Sequence, residues 1–181
     1  MEFNKRQVKV IILSGKAGSG KSYVANKLNE KLSNSIVISY ASYLKEYVKN
    51  ISDWDGSEES KEEVRTLLQQ IGVELIKNKI DDKFLINRVL QDVEVYSYFF
   101  DYIIISDARF IDEIECIKNE SNSFVINIIG KDNNLTNEEK KHSTEVSLDD
   151  YDNFDYILDN RKENIESDIE NIIKKVGELN E

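Results

Sequence analysis

The chain has 181 residues and a mass of 21.0 kDa, enough for one compact domain and too little for two full ones. Its 24 Lys and Arg against 35 Asp and Glu give a net charge of −11, which speaks against a surface built to grip a nucleic-acid backbone. A small anionic ligand held by a few local donors stays open. The single cysteine, Cys116, rules out an internal disulfide and fits a reducing cytosol. With His142 as the one histidine, no Cys- or His-built zinc site can be assembled. No apolar run approaches the roughly 18 to 20 residues of a membrane helix. Lys9 interrupts the apolar stretch near the start, which disfavours a signal peptide. The expectation is a cytoplasmic protein with no membrane and no nucleic-acid polymer as partner.

Short β-rich runs alternate with longer helical ones. Val8 to Ser14 reads as a strand, and Lys21 to Leu32 as a helix with Val24, Leu28 and Leu32 on one face. Ser35 to Ser39 is a second strand and Ser42 to Ile51 a helix. Ser60 to Lys79 is expected to be one long helix. Its apolar stripe is Val64, Leu67, Leu68, Ile71, Leu75 and Ile76, and Ser60 with Glu63 offers a capping box. A helix over Phe84 to Val93 follows, then a buried strand at Tyr102 to Ser106 and a helix near Ile111 to Lys118. Strands at Phe124 to Ile129 and Tyr156 to Leu158 and a closing helix over Asn164 to Val176 complete the pattern. Strands separated by helices imply right-handed crossovers and a parallel sheet covered on both faces. The expected fold is a three-layer α/β domain. Residues 40–93, helical without a strand, form an acceptor-binding insert, and the polar residues 130–145 form a short lid.

Gly15-Lys16-Ala17-Gly18-Ser19-Gly20-Lys21-Ser22 fits the phosphate-loop pattern G-x-x-x-x-G-K-[ST], with a buried strand before it and an amphipathic helix after it. Glycines let the backbone curl so that successive N–H groups point at phosphate oxygens, and the helix adds its amino-terminal partial charge. Lys21 can reach the β- and γ-phosphates of ATP, and the Ser22 hydroxyl can ligate Mg²⁺. Asp107, directly after the buried strand, is the natural second magnesium ligand.

Transfer to a hydroxyl wants a base near the acceptor oxygen. The stretch after the second strand, Ser39-Tyr40-Ala41-Ser42-Tyr43, holds no carboxylate. An acceptor that is itself a phosphate needs cations instead. Lys45, Arg65 and Lys77 in the insert and Arg109 after Asp107 supply them. A solvated helix charge is the competing reading for Lys45 and Lys77, and an ion pair with a neighbouring Glu for Arg65. Trp54 is read as a loop anchor, and His142 as a surface residue.

Several blocks resemble the phage-type deoxynucleoside monophosphate kinases of the P-loop kinase superfamily. Besides the loop they are Tyr40-Ala41-Ser42-Tyr43-Leu44-Lys45-Glu46 and Trp54-Asp55, then Arg65-Thr66-Leu67-Leu68-Gln69-Gln70-Ile71-Gly72-Val73-Glu74. Ile105-Ser106-Asp107-Ala108-Arg109-Phe110-Ile111-Asp112-Glu113 follows. His142-Ser143-Thr144-Glu145 with Leu148, and Asp155 to Asn160, are the last. The resemblance implies a P-loop NTPase fold and ATP-dependent phosphorylation of a deoxynucleoside monophosphate with Mg²⁺. It implies Arg65 and Gln69 at the acceptor nucleotide, Lys45 and Arg109 at the phosphates, the segment from Gly130 to Ser143 as the lid and Asn160 near the ATP base. Lys131, a solvated charge in the competing reading, is taken from the residues as the lid cation at the substrate phosphates. Lys21, Arg109 and Asp107 would carry the catalysis. Ser42, Tyr43, Lys77, Phe84 and Lys131 depart from the pattern. Two further readings stand beside this one. One is a related kinase on another small phosphate such as phosphomevalonate; the other is a non-catalytic ATP-binding switch. A homodimer is left open.

Overall fold

The computed structural model describes residues 4–57, 60–131, 136, 139–162 and 164–179. The chain forms two compact units. One is Met1–Ile38 with Val93–Glu181, and the other is Ser39–Asp92.

The first unit is built on five parallel strands: β1 (Lys9–Ser14), β2 (Ser35–Ile38), β3 (Tyr102–Ala108), β4 (Asn122–Ile129) and β5 (Tyr156–Asp159). Their order is β2-β3-β1-β4-β5. Helices α1 (Lys21–Lys31), α5 (Ile111–Glu120) and α7 (Glu166–Glu178) join or flank them, with a short α6 (Ser143–Val146) before β5. The strands are apolar at nearly every position because both faces are covered. On one face Ile11, Leu13, Ile104, Ile126 and Leu158 pack with Val24 and Leu28 of α1 and with Ile169, Ile172 and Val176 of α7. The alternate residues Val10, Ile12, Ile103, Ile105 and Val125 are equally inaccessible, as are Ile114 and Ile117 of α5. The chain leaves β1 toward β2 on one side and reaches β4 on the other. The carboxyl end of β1 is therefore the place where strand direction in the order reverses, and where such sheets bind ligands.

The second unit holds α2 (Tyr40–Ile51), α3 (Lys61–Gln69), a π-helical stretch Gln70–Ile80 and most of α4 (Phe84–Tyr96). The expected single helix over Ser60 to Lys79 is thus α-helical only to Gln69. Gly72, flanked by the β-branched Ile71 and Val73, weakens the α preference where the change occurs. The wider winding leaves Leu75, expected on the buried stripe, 48% exposed, while Leu68 and Ile76 stay buried. Gly72 itself packs on Leu44: a Cβ there would come within 2.8 Å of the Leu44 Cδ2. The expected capping box at Ser60 does not form. Its hydroxyl accepts from Trp54 Nε1 at 3.0 Å and donates to Asp55 at 2.9 Å instead. Trp54 is buried with Val48 and Leu68, and Leu44, Val64, Leu67 and Ile71 pack around them, so it anchors the loop between α2 and α3.

Candidate active site

β1 runs into Gly15, and the chain curls through Gly18 and Gly20, all at positive φ (135°, 71° and 95°), before α1 begins at Lys21. Ordinary residues avoid that region, so the loop depends on its glycines. It is also tightly backed. A Cβ at Gly15 would lie 2.4 Å from the Ile128 carbonyl oxygen, and one at Gly130 would lie 2.2 Å from Ser19 Cα. Asn160, at the end of β5, donates its side-chain amide to the Ser19 carbonyl at 2.9 Å and its backbone N–H to Ile129 at 2.8 Å. Lys21 is 8% exposed, and its ammonium donates to the carbonyls of Gly15 (2.6 Å) and Lys16 (2.8 Å).

The loop has the marks of a nucleotide-phosphate site. The Ser19 hydroxyl oxygen is buried without a hydrogen-bond partner among the described residues. A cavity of about 420 Å³ opens beside it, lined by Lys16, Ala17, Ser19, Gly130, Lys131, Glu145 and others. The exposed Lys131 and Lys140 and Arg161 supply positive charge around it. Arg161 also grips Asp159 through two guanidinium nitrogens at 2.7 and 2.8 Å, which holds the Asp159 carboxyl down at about 2. The segment expected as a lid falls partly outside the described residues: 132–135, 137 and 138 are not among them. His142, read as a surface residue, is half-buried and caps α6, its Nδ1 accepting the Thr144 N–H at 3.3 Å.

β3 pairs with β1 so that Ala108 stands opposite Ser14, which brings Asp107 and Arg109 beside the start of the loop. Asp107 is half-buried and Ser22 lies exposed in the first turn of α1. No group of three or more acidic, His or Cys side chains able to hold a metal exists among the described residues. Two hard oxygen donors suit Mg²⁺, which keeps water and takes phosphate oxygens for the rest of its shell.

Arg109 is held at both ends. Glu113 accepts the backbone N–H of Arg109 at 2.6 Å and of Phe110 at 3.1 Å, fixing the start of α5. At the other end, Arg109 Nη1 lies 3.0 Å from Glu145 Oε1 and 3.4 Å from the Gly15 carbonyl oxygen. The second Glu145 oxygen accepts the Ala17 N–H of the loop at 2.8 Å. The sequence reading did not single out Glu145 as a site residue. Its only signal was its place in the His142-Ser143-Thr144-Glu145 block, since no spacing rule points a carboxylate at a loop so far back in the chain.

Burial pushes the Glu113 carboxyl up to about 8, with the nearby Asp107 charge adding to the effect and the two N–H donors opposing it. Between its ordinary value near 4.5 and about 8, the folded protein holds a proton that the unfolded chain releases. Stability is then fully present below that window and is lost as pH rises through it. Thermal melts from about pH 5 to pH 8.5 should show this decline, and Glu113→Gln should flatten it. Parallel profiles for the two proteins would contradict a protonated Glu113.

In the second unit, Lys45 lies on α2 and Arg65 and Gln69 lie one turn apart on α3, all half-buried. Lys77 is half-buried on the π-helical stretch. Tyr43, which departs from the resemblance pattern, bonds Asp92 at 2.7 Å while Arg88 lies over its ring at 5.3 Å. Ser42, the other departure there, turns its hydroxyl onto the Ser39 carbonyl at 2.6 Å and tightens the start of α2.

The sheet order and the loop define a P-loop nucleotide-binding fold of the kinase type. Residues 13–123, well over half of the chain, match the family model described as phosphomevalonate kinase, and the chain belongs to that family. Among solved structures it is similar to APE1195, at 14% identity over 99% of this chain and 100% of that one with a TM-score of 0.56, a likeness of fold. Shikimate kinase from Bacteroides thetaiotaomicron is 17% identical, with 95% and 97% of the two chains covered and a TM-score of 0.45. An uncharacterized protein from Eubacterium ventriosum is 14% identical, with 95% and 99% covered and a TM-score of 0.48. No curated protein matches the sequence. Among the described residues no helix is long and apolar enough to cross a membrane.

Proposed function

We propose that the protein transfers the γ-phosphoryl group of ATP to a phosphate oxygen of a small phosphorylated acceptor, releasing ADP, and that the acceptor is a deoxynucleoside 5′-monophosphate. The observation that carries the reading is Arg109, whose guanidinium is fixed within 3.4 Å of the phosphate-loop backbone. A cation there offsets repulsion between two phosphates brought together, the main obstacle when the acceptor oxygen is already anionic. Lys21 and the loop N–H groups would hold the moving phosphoryl group. Ser22 and Asp107 would hold Mg²⁺, which screens phosphate charge when bound. Lys131, at the cavity rim, would contact the phosphates from the lid side. Asn160, by bracing Ser19, would shape the ATP side of the site.

The deoxynucleotide reading is supported by Arg65 and Gln69, one turn apart on α3. A guanidinium and a carboxamide so spaced can recognise a phosphate or base edge together. The family match favours phosphomevalonate as a second acceptor, and that reading asks nothing of a base-reading Gln69.

ADP release from MgATP with a panel of deoxynucleoside and ribonucleoside monophosphates and phosphomevalonate tests both. Turnover with a deoxynucleotide supports the first reading, and turnover confined to phosphomevalonate replaces it with the second. ATP binding without turnover on any acceptor would leave a nucleotide-binding switch.

A further inference from the structure

We infer that Glu145 is a positioning residue for this transfer, one carboxylate that sets the Arg109 guanidinium and the phosphate loop at a fixed distance from each other. The inference rests on the kinase reading for its catalytic consequence, though not for its geometry.

Both Glu145 oxygens are used, and each by a different part of the site. Oε2 takes the Ala17 N–H of the loop at 2.8 Å, and Oε1 takes Arg109 at 3.0 Å. The Glu145 side chain is 4% exposed and that of Arg109 25%, so solvent screens the pair little. A carboxylate this buried is retained only where its charge is matched, and Arg109 matches it. Without it, Arg109 Nη1 would still reach the loop at the Gly15 carbonyl, but only at 3.4 Å. Glu113 already pins the backbone of Arg109, so Glu145 settles where the head of the side chain points.

The segment carrying Glu145 is tied to the loop a second time. Lys16, between Gly15 and Ala17, pairs with Asp149 at 2.8 Å, three residues beyond α6. That pair is exposed and contributes little stability, but it keeps the segment in register with the loop.

The chemistry demands a carboxylate. Both partners are donors, and only an ionised acid offers an acceptor on each arm. Gln has the same shape but one acceptor oxygen and one amide NH2, which only donates. In Glu145→Gln either Arg109 or the Ala17 N–H must therefore face another donor.

The test combines rates and a spectroscopic probe in four proteins: wild type, Glu145→Gln, Arg109→Ala and the double variant. With whichever acceptor the wild type uses, Glu145→Gln should lower kcat about ten- to a hundred-fold. The Kd for MgATP, measured by calorimetry, should stay within about threefold, and Arg109→Ala should add no more than about threefold to the loss in the Gln background. Glu145→Asp keeps the charge on a shorter arm, should fall between wild type and Gln, and serves if the Gln protein does not fold. Independently of turnover, the Arg109 Nε–H resonance, assigned through Arg109→Lys, should shift or broaden in Glu145→Gln. Unchanged kcat, losses that multiply in the double variant, or tighter ATP binding with faster turnover would overturn the inference. So would an unmoved Arg109 resonance. A wild type inactive on every acceptor sinks the kinase reading instead, while the resonance still decides the geometry.

Discussion

Lys21→Ala should lower kcat for phosphoryl transfer roughly a thousand-fold, the scale seen when a preorganised donor to a charged transition state is removed. Lys21 is nearly buried, and its ammonium rests on the Gly15 and Lys16 carbonyls of its own loop. The substitution therefore removes two hydrogen bonds that hold the loop's shape and, on the proposed reading, a positive charge at the phosphates. Single-turnover assays separate the two losses. A fall in the chemical step beyond any rise in the Kd for MgATP reports the charge. Turnover equal to wild type would remove Lys21, and with it the loop, from the chemistry.

Trp54→Ala should destabilise the Ser39–Asp92 unit by about 3–5 kcal/mol. The indole fills the centre of that unit's small core with Val48 and Leu68, and its N–H is bonded to Ser60. Hydrogen exchange should show α2 and α3 losing protection while β1, β3 and β4 keep theirs. MgATP binding should persist within about threefold, because the loop, Arg109, Glu145 and Asn160 all belong to the other unit. Uniform loss of protection across both units would mean that they unfold as one.

Most of the sheet was legible because parallel buried strands announce themselves. Val10 to Leu13 and Ile103 to Ile105 are unbroken apolar runs, and each is flanked by a turn and a helix with a clear stripe. The loop was legible because its glycines and Lys21 are local in sequence. Harder to read were features set by packing at a distance. The change to π winding after Gln69 depends on tertiary contacts such as Gly72 against Leu44, which outweigh an apolar stripe that suits an α-helix equally well. Ser60 looked like a cap but was claimed by Trp54, six residues earlier in a loop without periodicity. Glu145 lay hidden for a similar reason. Its two partners come from the loop and from the end of β3, and nothing in a short polar run tells which carboxylate will be buried.

The close approach of Gly130 to Ser19, with Asn160 bonded to the same residue, ties the loop to the ends of β4 and β5. β5 is an outer strand, paired on one side to β4 alone. Peeling it away would withdraw Asn160 and slacken the loop, so a nucleotide gripped there must raise the cost of that opening by its own binding free energy. Ligand and sheet margin would then be thermodynamically linked: bound phosphates would act as a clasp on one outer border of the sheet.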